Sequence, residues 1–75
     1  MVFAYVMVKA YTGEADRLKR DIEAIDGVVG AHIVAGDVDL IVKVDVDEPE
    51  AIRRIAATEI QGIEGVEDTH TYIAM

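Results

Sequence analysis

The stretch VVGAHIVAGDVDLIVKVDV, Val28 to Val46, consists of two apolar runs separated by Ala35-Gly36-Asp37-Val38-Asp39. Each arm is dense in Val and Ile and has the length of a strand rather than a helix. Gly36 offers a permissive backbone, and the flanking aspartates favour turns. The expectation is a β-hairpin with strands over about Val28–Ala35 and Asp39–Val46, its tip carrying a glycine and two carboxylates.

Upstream, VFAYVMVKA (Val2 to Ala10) is a nearly continuous apolar run of strand formers, interrupted by Thr12-Gly13. From Glu14 to Ile25 the spacing turns helical, with Ala15, Leu18, Ile22 and Ile25 on one face. Thr12 is the expected N-cap, with Glu14 and Asp16 at the positive end of the helix dipole. Gly27 fits a left-handed C-cap. Downstream, Asp47-Glu48-Pro49-Glu50 reads as a helix start with Asp47 as cap and proline in the first turn. Ile52, Ile55, Ala56 and Ile60 give the buried stripe, with Arg53 and Arg54 facing out, and Gln61-Gly62 closes the helix. Val66 to Ala74 is the last strand.

The order is β-α-β-β-α-β, with no linker or low-complexity tract, so residues 1–75 read as one domain. An internal echo supports two related halves. Ile25-Asp26-Gly27-Val28 recurs as Ile63-Glu64-Gly65-Val66, His32 recurs as His70, and Val8-Lys9 resembles Val42-Lys43. This is the α+β, ferredoxin-like split fold, a four-stranded antiparallel sheet with strands one and three central and two and four at the edges. Both helices then lie on one face, yet the central strands are apolar on both. A half-solvated antiparallel sheet alternates apolar with polar. Phe3, Tyr5, Met7 and Ile41 would form an exposed patch of the kind that marks association. A homodimer packed sheet on sheet is expected.

The chain is 52% apolar but only 5% aromatic, so Ala, Val and Ile build the core. A domain this small often gains its missing burial by assembly. Cysteine is absent, which removes disulfides and thiolate metal sites. No 18-residue apolar run and no basic leader are present, which argues against membrane insertion and secretion; a cytoplasmic location is expected. The net charge of −8 leaves no basic patch for direct nucleic-acid binding. It fits a solvated surface, and equally a high-salt habitat.

Few constellations carry chemistry. Gly36-Asp37-Val38-Asp39 reads first as an acidic turn. Its backbone amides and carboxylates also suit a small zwitterion, whose ammonium needs acceptors and whose carboxylate needs donors. Thr69 and Thr71 present hydroxyls on one face of the last strand, although strand propensity alone accounts for threonines there. His32 and His70 fall on opposite edge strands, roughly 14 Å apart at about 4.8 Å per strand step, too far for one metal ion. The antiparallel arrangement puts Lys9 within reach of Asp39, although Lys9 and Lys43 read first as lysines reaching solvent at the sheet ends. No Ser/His/Asp set, phosphate loop or metalloprotease motif occurs.

With these pieces placed, the chain resembles the C-terminal effector (RAM) domain of the Lrp/AsnC family of transcription regulators. Val34-Ala35-Gly36-Asp37-Val38-Asp39-Leu40 is similar to that family's T-G-x-(Y/F)-D-hydrophobic hairpin, with Ala35 in place of the threonine and Val38 in place of the aromatic. Ile63 to Thr71 is similar to its L-P-G-V-x-x-(T/S)-x-T ending. The resemblance covers essentially the whole chain, without the family's helix-turn-helix domain, so a stand-alone module is expected. It implies a sheet-on-sheet dimer, assembly into an octamer or similar ring, and an amino-acid effector held by Gly36, Asp37 and Asp39, with Thr69 and Thr71 as participants. It implies no cofactor, and association with full-length regulators of the family. The first functional reading is therefore a non-enzymatic sensing and oligomerisation module. The alternative is a small dimeric α+β-barrel enzyme, monooxygenase- or isomerase-like, with a His or a few polar groups in a cavity between sheet and helices. A large enclosed cavity containing His32 or His70 would favour it, and small polar clefts between dimers would favour the sensor. A third is a structural subunit.

Overall fold

A computed structural model describes all of residues 1–75. The elements run β1 (Val2–Ala10), α1 (Ala15–Glu23), β2 (Val28–Ile33), β3 (Leu40–Val46), α2 (Pro49–Arg53) with a π-helical continuation (Arg54–Ile60), and β4 (Val66–Ile73). The strands form one antiparallel sheet in the order β2-β3-β1-β4. This is the expected split topology, with the two most apolar strands in the centre. No helix is long and apolar enough to cross a membrane.

The strand pattern is what positions the core. Ala4, Val6 and Val8 of β1 lie beside Leu40, Val42 and Val44 of β3, with Val6 opposite Val42. Leu18 and Ile22 of α1, and Ile52, Ile55 and Ile60 of the second helical segment, cover this face; all are buried. Each such side chain contributes roughly 1.5–3 kcal/mol through the area it removes from water. Every buried residue is apolar, and Ala15 and Ile25 pack against this core from its margin.

Several element ends differ from expectation. Thr12 is not the cap of α1. Gly13, at φ +84°, turns the chain so that the Glu14 amide donates to the Tyr11 carbonyl (3.2 Å), and Glu14 itself occupies the N-cap. The Glu14 carboxylate pairs instead with Arg17. The second helix is capped by Glu48 rather than Asp47, in extended conformation and without a side-chain cap bond, and Pro49 opens it. Its last seven residues widen into the π-helical run, which periodicity alone does not distinguish from α. β2 stops at Ile33 and β3 begins at Leu40, so the hairpin connection spans residues 34–39 rather than making a tight turn. Gly36 does not have positive φ, and a Cβ there would meet nothing within 4 Å.

The internal echo is a repeated turn. The helix α1 ends with Ala24 as its C-cap, so Gly27 is not a cap. Gly27 instead sits in a turn closed by the Val28 amide donating to the Ile25 carbonyl (3.1 Å), and Gly65 in one closed by Val66 donating to Ile63 (3.2 Å). Their φ values are +97° and +106°, which L side chains rarely adopt. Each glycine carbonyl then accepts from the central strand beside it: Asp45 N–H to Gly27 (2.8 Å) and Tyr11 N–H to Gly65 (2.9 Å). The offset that carries Val8-Lys9 onto Val42-Lys43 also carries Tyr11 onto Asp45.

Gly27 also has no room, since a Cβ would lie 2.7 Å from Ile55 Cδ1 and 2.9 Å from Val46 Cγ1. Gly27→Ala is therefore expected to destabilise the fold by about 2–4 kcal/mol, combining left-handed strain with overpacking. Gly36→Ala is expected to be neutral or to gain about 0.4–1 kcal/mol through the unfolded chain. Urea denaturation of the two variants checks the contrast.

Candidate functional site

The hairpin tip stands at the end of the sheet where β1 finishes and β4 begins. β1 outlasts β3, and the Asp39 side chain continues the ladder: its Oδ2 accepts from the Ala10 amide at 2.8 Å. The Asp39 backbone amide donates to the Val8 carbonyl (2.9 Å), and its carbonyl accepts from Val34 (2.9 Å), closing the connection. Lys9 and Asp39 form no ion pair; the Asp39 carboxylate accepts from the Ala10 amide through Oδ2. Asp39 Oδ1 has no hydrogen-bond partner within the chain. Asp39 is half-buried, whereas Gly36 and Asp37 are exposed.

The next amide, one residue past β1, does the same job on the other side. Tyr11 N–H donates to the Gly65 carbonyl, so two consecutive amides bind the hairpin tip and the turn that feeds β4. Arg17 reinforces this end by donating to the Glu64 carbonyl while pairing with Glu14 and Asp21. The Glu14 hydrogen bond holds its guanidinium above its ordinary pKa.

Thr69 and Thr71 share the helix-side face of β4, as expected, but they are not equivalent. Thr69 lies opposite Val8, close to the tip, while Thr71 lies opposite Val6, about 13 Å of strand from Ala10. Thr71 lines a different feature, a cleft of about 270 Å³ between β4 and the second helical segment, walled by Pro49, Ile52, Arg53, Ala56, Ala57 and Ile73. The structure thus brings Asp39 and Thr69 to one end of the sheet and leaves Thr71 apart. No cleft includes Gly36, Asp37 or Asp39. The sequence reading did not single out this cleft. Its signal was a second stripe on the helix, Pro49, Ile52/Arg53 and Ala56/Ala57, rich in small residues.

The sheet face away from the helices carries Phe3, Tyr5, Met7 and Ile41, as the alternation predicts, and Tyr5 is 38% exposed. One row crosses this face from edge to edge: His32, Ile41, Met7, His70. The histidines therefore stand on opposite edges of an open surface, not in a cavity, and His70 stacks on Tyr72 (5.6 Å between centroids). Lys43 lies over the Phe3 ring at 5.1 Å, a cation–π contact in the middle of the face. At the paired positions of this face Lys9 and Lys43 are matched by Asp45 and Asp68. The charge of −8 resides on the other surfaces.

Comparison with known proteins places these features. A family model described as the Lrp/AsnC ligand binding domain matches residues 3–75. The leucine-responsive regulatory protein of Haemophilus influenzae is 33% identical over 54 residues, which are 72% of this chain and 32% of the relative, so the chain spans only part of that protein's length. TTHA0845 from Thermus thermophilus superposes with a TM-score of 0.95 at 27% identity, over 100% of this chain and 94% of that one. A transcriptional regulator from Neisseria meningitidis, solved as its L-Met complex, shares the fold at a TM-score of 0.83 and 13% identity, over 99% of this chain and 49% of that one.

Asp39→Ala leaves the half-buried Ala10 amide without its acceptor and is expected to lose about 1–3 kcal/mol of stability. Asp39→Asn keeps a carbonyl acceptor in place and should lose less than half as much. Chemical denaturation of both variants measures the difference.

Proposed function

The chain belongs to the Lrp/AsnC ligand-binding domain family, and from that premise we propose that it is an amino-acid-sensing and oligomerisation module without enzymatic activity, acting in the cytoplasm on transcription regulators of its own family by association. The observation that carries this reading is the family match over residues 3–75, together with an acidic tip clamped to the end of β1.

In this reading the effector's ammonium is held by Asp39 Oδ1, its carboxylate by amides near Gly36 and Asp37, and Thr69 contributes from β4. Thr71 belongs to the set only through the family resemblance, since its side chain faces the separate cleft. The tip forms no concavity by itself, which fits an effector site completed by another copy in a ring of dimers. The dimer forms through the Phe3/Tyr5/Met7/Ile41 face. Charge supports this choice, because two copies of a −8 chain meet with least repulsion where their surfaces balance. The match to a ligand-binding domain supports a regulatory reading over an enzymatic one. His32 and His70 are both exposed, so neither lends the enzyme reading the enclosed histidine that would favour it.

A thermal-shift screen of the twenty amino acids tests the sensor, since a ligand bound only to the native state raises stability by mass action. At least one amino acid is expected to raise the midpoint at millimolar concentration. Asp39→Asn should then weaken its affinity about ten- to a hundredfold, the worth of a charge-assisted hydrogen bond. If none binds, the structural-subunit reading replaces this one. For the dimer, Tyr5→Asp places an unpaired charge in the contact and is expected to weaken association at least about a hundredfold. A folded wild-type monomer in sedimentation at low micromolar concentration defeats the dimer.

A further inference from the structure

One concave feature is used neither by the hairpin tip nor by the open sheet face: the cleft of about 270 Å³ between β4 and the second helical segment. Ile52 and Ala56, both buried, close its floor, and Pro49, Ala57 and Ile73 give it apolar walls. Its helical wall lies where the winding changes. The α-helical part ends at Arg53 and the π-helical run begins at Arg54, so Ala56 and Ala57 come from the first widened turn. Such turns are rare and are frequently found at functional sites. Two polar side chains join this apolar lining. The Thr71 hydroxyl makes no hydrogen bond within the chain. Arg53 has only an ion pair with Glu50, at 3.6 Å with both side chains 81% exposed. A pair so exposed holds its partners weakly, which leaves the guanidinium open to another anion. The chain has fifteen acidic residues, yet none lines this cleft. Glu50 opens instead onto the neighbouring hollow, with Glu48 and Thr58.

We infer that this cleft binds a short aliphatic carboxylate that lacks an α-ammonium group, at a site separate from the hairpin tip. The carboxylate accepts from the Arg53 guanidinium, whose planar fork matches two oxygens at once, and from the Thr71 hydroxyl. The hydrocarbon body lies over Ile52, Ala56 and Ile73, where its burial is favourable. Charge selects this occupant. In a chain of net charge −8, the cleft is a place where the only formal charge is positive. An amino acid is a poorer fit, because its ammonium finds no carboxylate there and lies beside either the guanidinium or an apolar wall. Size limits the body to a few carbons, since the cleft falls just short of the about 300–1,000 Å³ of sites that enclose drug-sized ligands. Branched fatty acids and 2-oxo acids share this chemistry, the keto oxygen being an acceptor without charge.

The site uses none of Gly36, Asp37, Asp39 or Thr69, so it can fail while the amino-acid reading of the tip holds, and the reverse. The probes are 4-methylpentanoate, 4-methyl-2-oxopentanoate, leucine and 4-methylpentan-1-ol, one carbon skeleton with four head groups. Amide NMR spectra of the labelled full chain follow each titration. At least one of the two acids is expected to give saturable shifts at Ala56, Ala57 and Thr71 at millimolar concentration, and the tighter one identifies the source. The alcohol should bind there at least about tenfold more weakly, for want of the charge-assisted hydrogen bond. Leucine should leave these three amides unmoved, whatever it does at residues 36–39. Arg53→Gln is expected to weaken the acids about tenfold or more for the same reason. Ala57→Leu, which fills the cleft from the exposed side of the helix, should abolish their binding while circular dichroism stays native. No saturable shift from either acid overturns the site. Equal affinity for the alcohol, or unchanged affinity in Arg53→Gln, overturns the recognition of a carboxylate. Leucine moving the same amides at the same concentrations overturns the exclusion of the ammonium.

Discussion

Two helical segments can cover one face of a four-stranded sheet, and this sheet has central strands that are apolar on both. That mismatch governs the molecule. On the covered side, alternate residues of β1 and β3 join Leu18, Ile22, Ile52, Ile55 and Ile60 in a core without a buried polar group. On the other side the same alternation leaves Phe3, Tyr5, Met7 and Ile41 half-covered, with one cation drawn over an aromatic ring. No segment of residues 1–75 covers it. The covered face accounts for folding, and the uncovered one leaves apolar area open to solvent.

Much of this was legible because it is periodic or local. The ends of β1 follow from a run of strand formers, and the helical stripes from spacing. The repeated Ile-acid-Gly-Val segment could be read as a repeat, and its structural meaning, a turn with glycine at positive φ, follows from the same two glycines. What the sequence did not disclose depends on where neighbouring strands stop. Gly36 looks like the pivot of a tight reversal, but β2 and β3 end early enough for six residues to make the turn without a left-handed backbone. Asp39 looks like one of two equivalent acids. It differs from Asp37 only because β1 extends past β3 and presents an unpaired amide to it.

The end of β1 joins the two segments by which the family is recognised. Ala10 and Tyr11 are adjacent, and their amides go to the Asp39 carboxylate and to the Gly65 carbonyl. The hairpin motif and the β4 motif are distant in sequence, yet one peptide unit separates their anchors. Gly65 is further confined, since a Cβ there would lie 3.1 Å from Glu14 Oε1. Through Glu14 and Arg17 the start of α1 is fastened to the same corner. Neighbouring hydrogen bonds therefore link the tip to the start of β4 outside the core.

Acidity limits where such a chain can assemble. At physiological ionic strength charges are screened over about 8 Å, so repulsion between two −8 molecules is decided by the groups that come within that distance. Most acids lie on the helices and their flanks, and Arg17, Lys19, Arg53 and Arg54 already pair with acids on their own helical segments. The two surfaces that escape this are the open sheet face, where lysines and aspartates balance, and the middle of the β4 edge, where Thr71 to Ile73 carry no formal charge. The hairpin tip lies outside both, and the carboxylates of Asp37 and Asp39 give that corner a negative field.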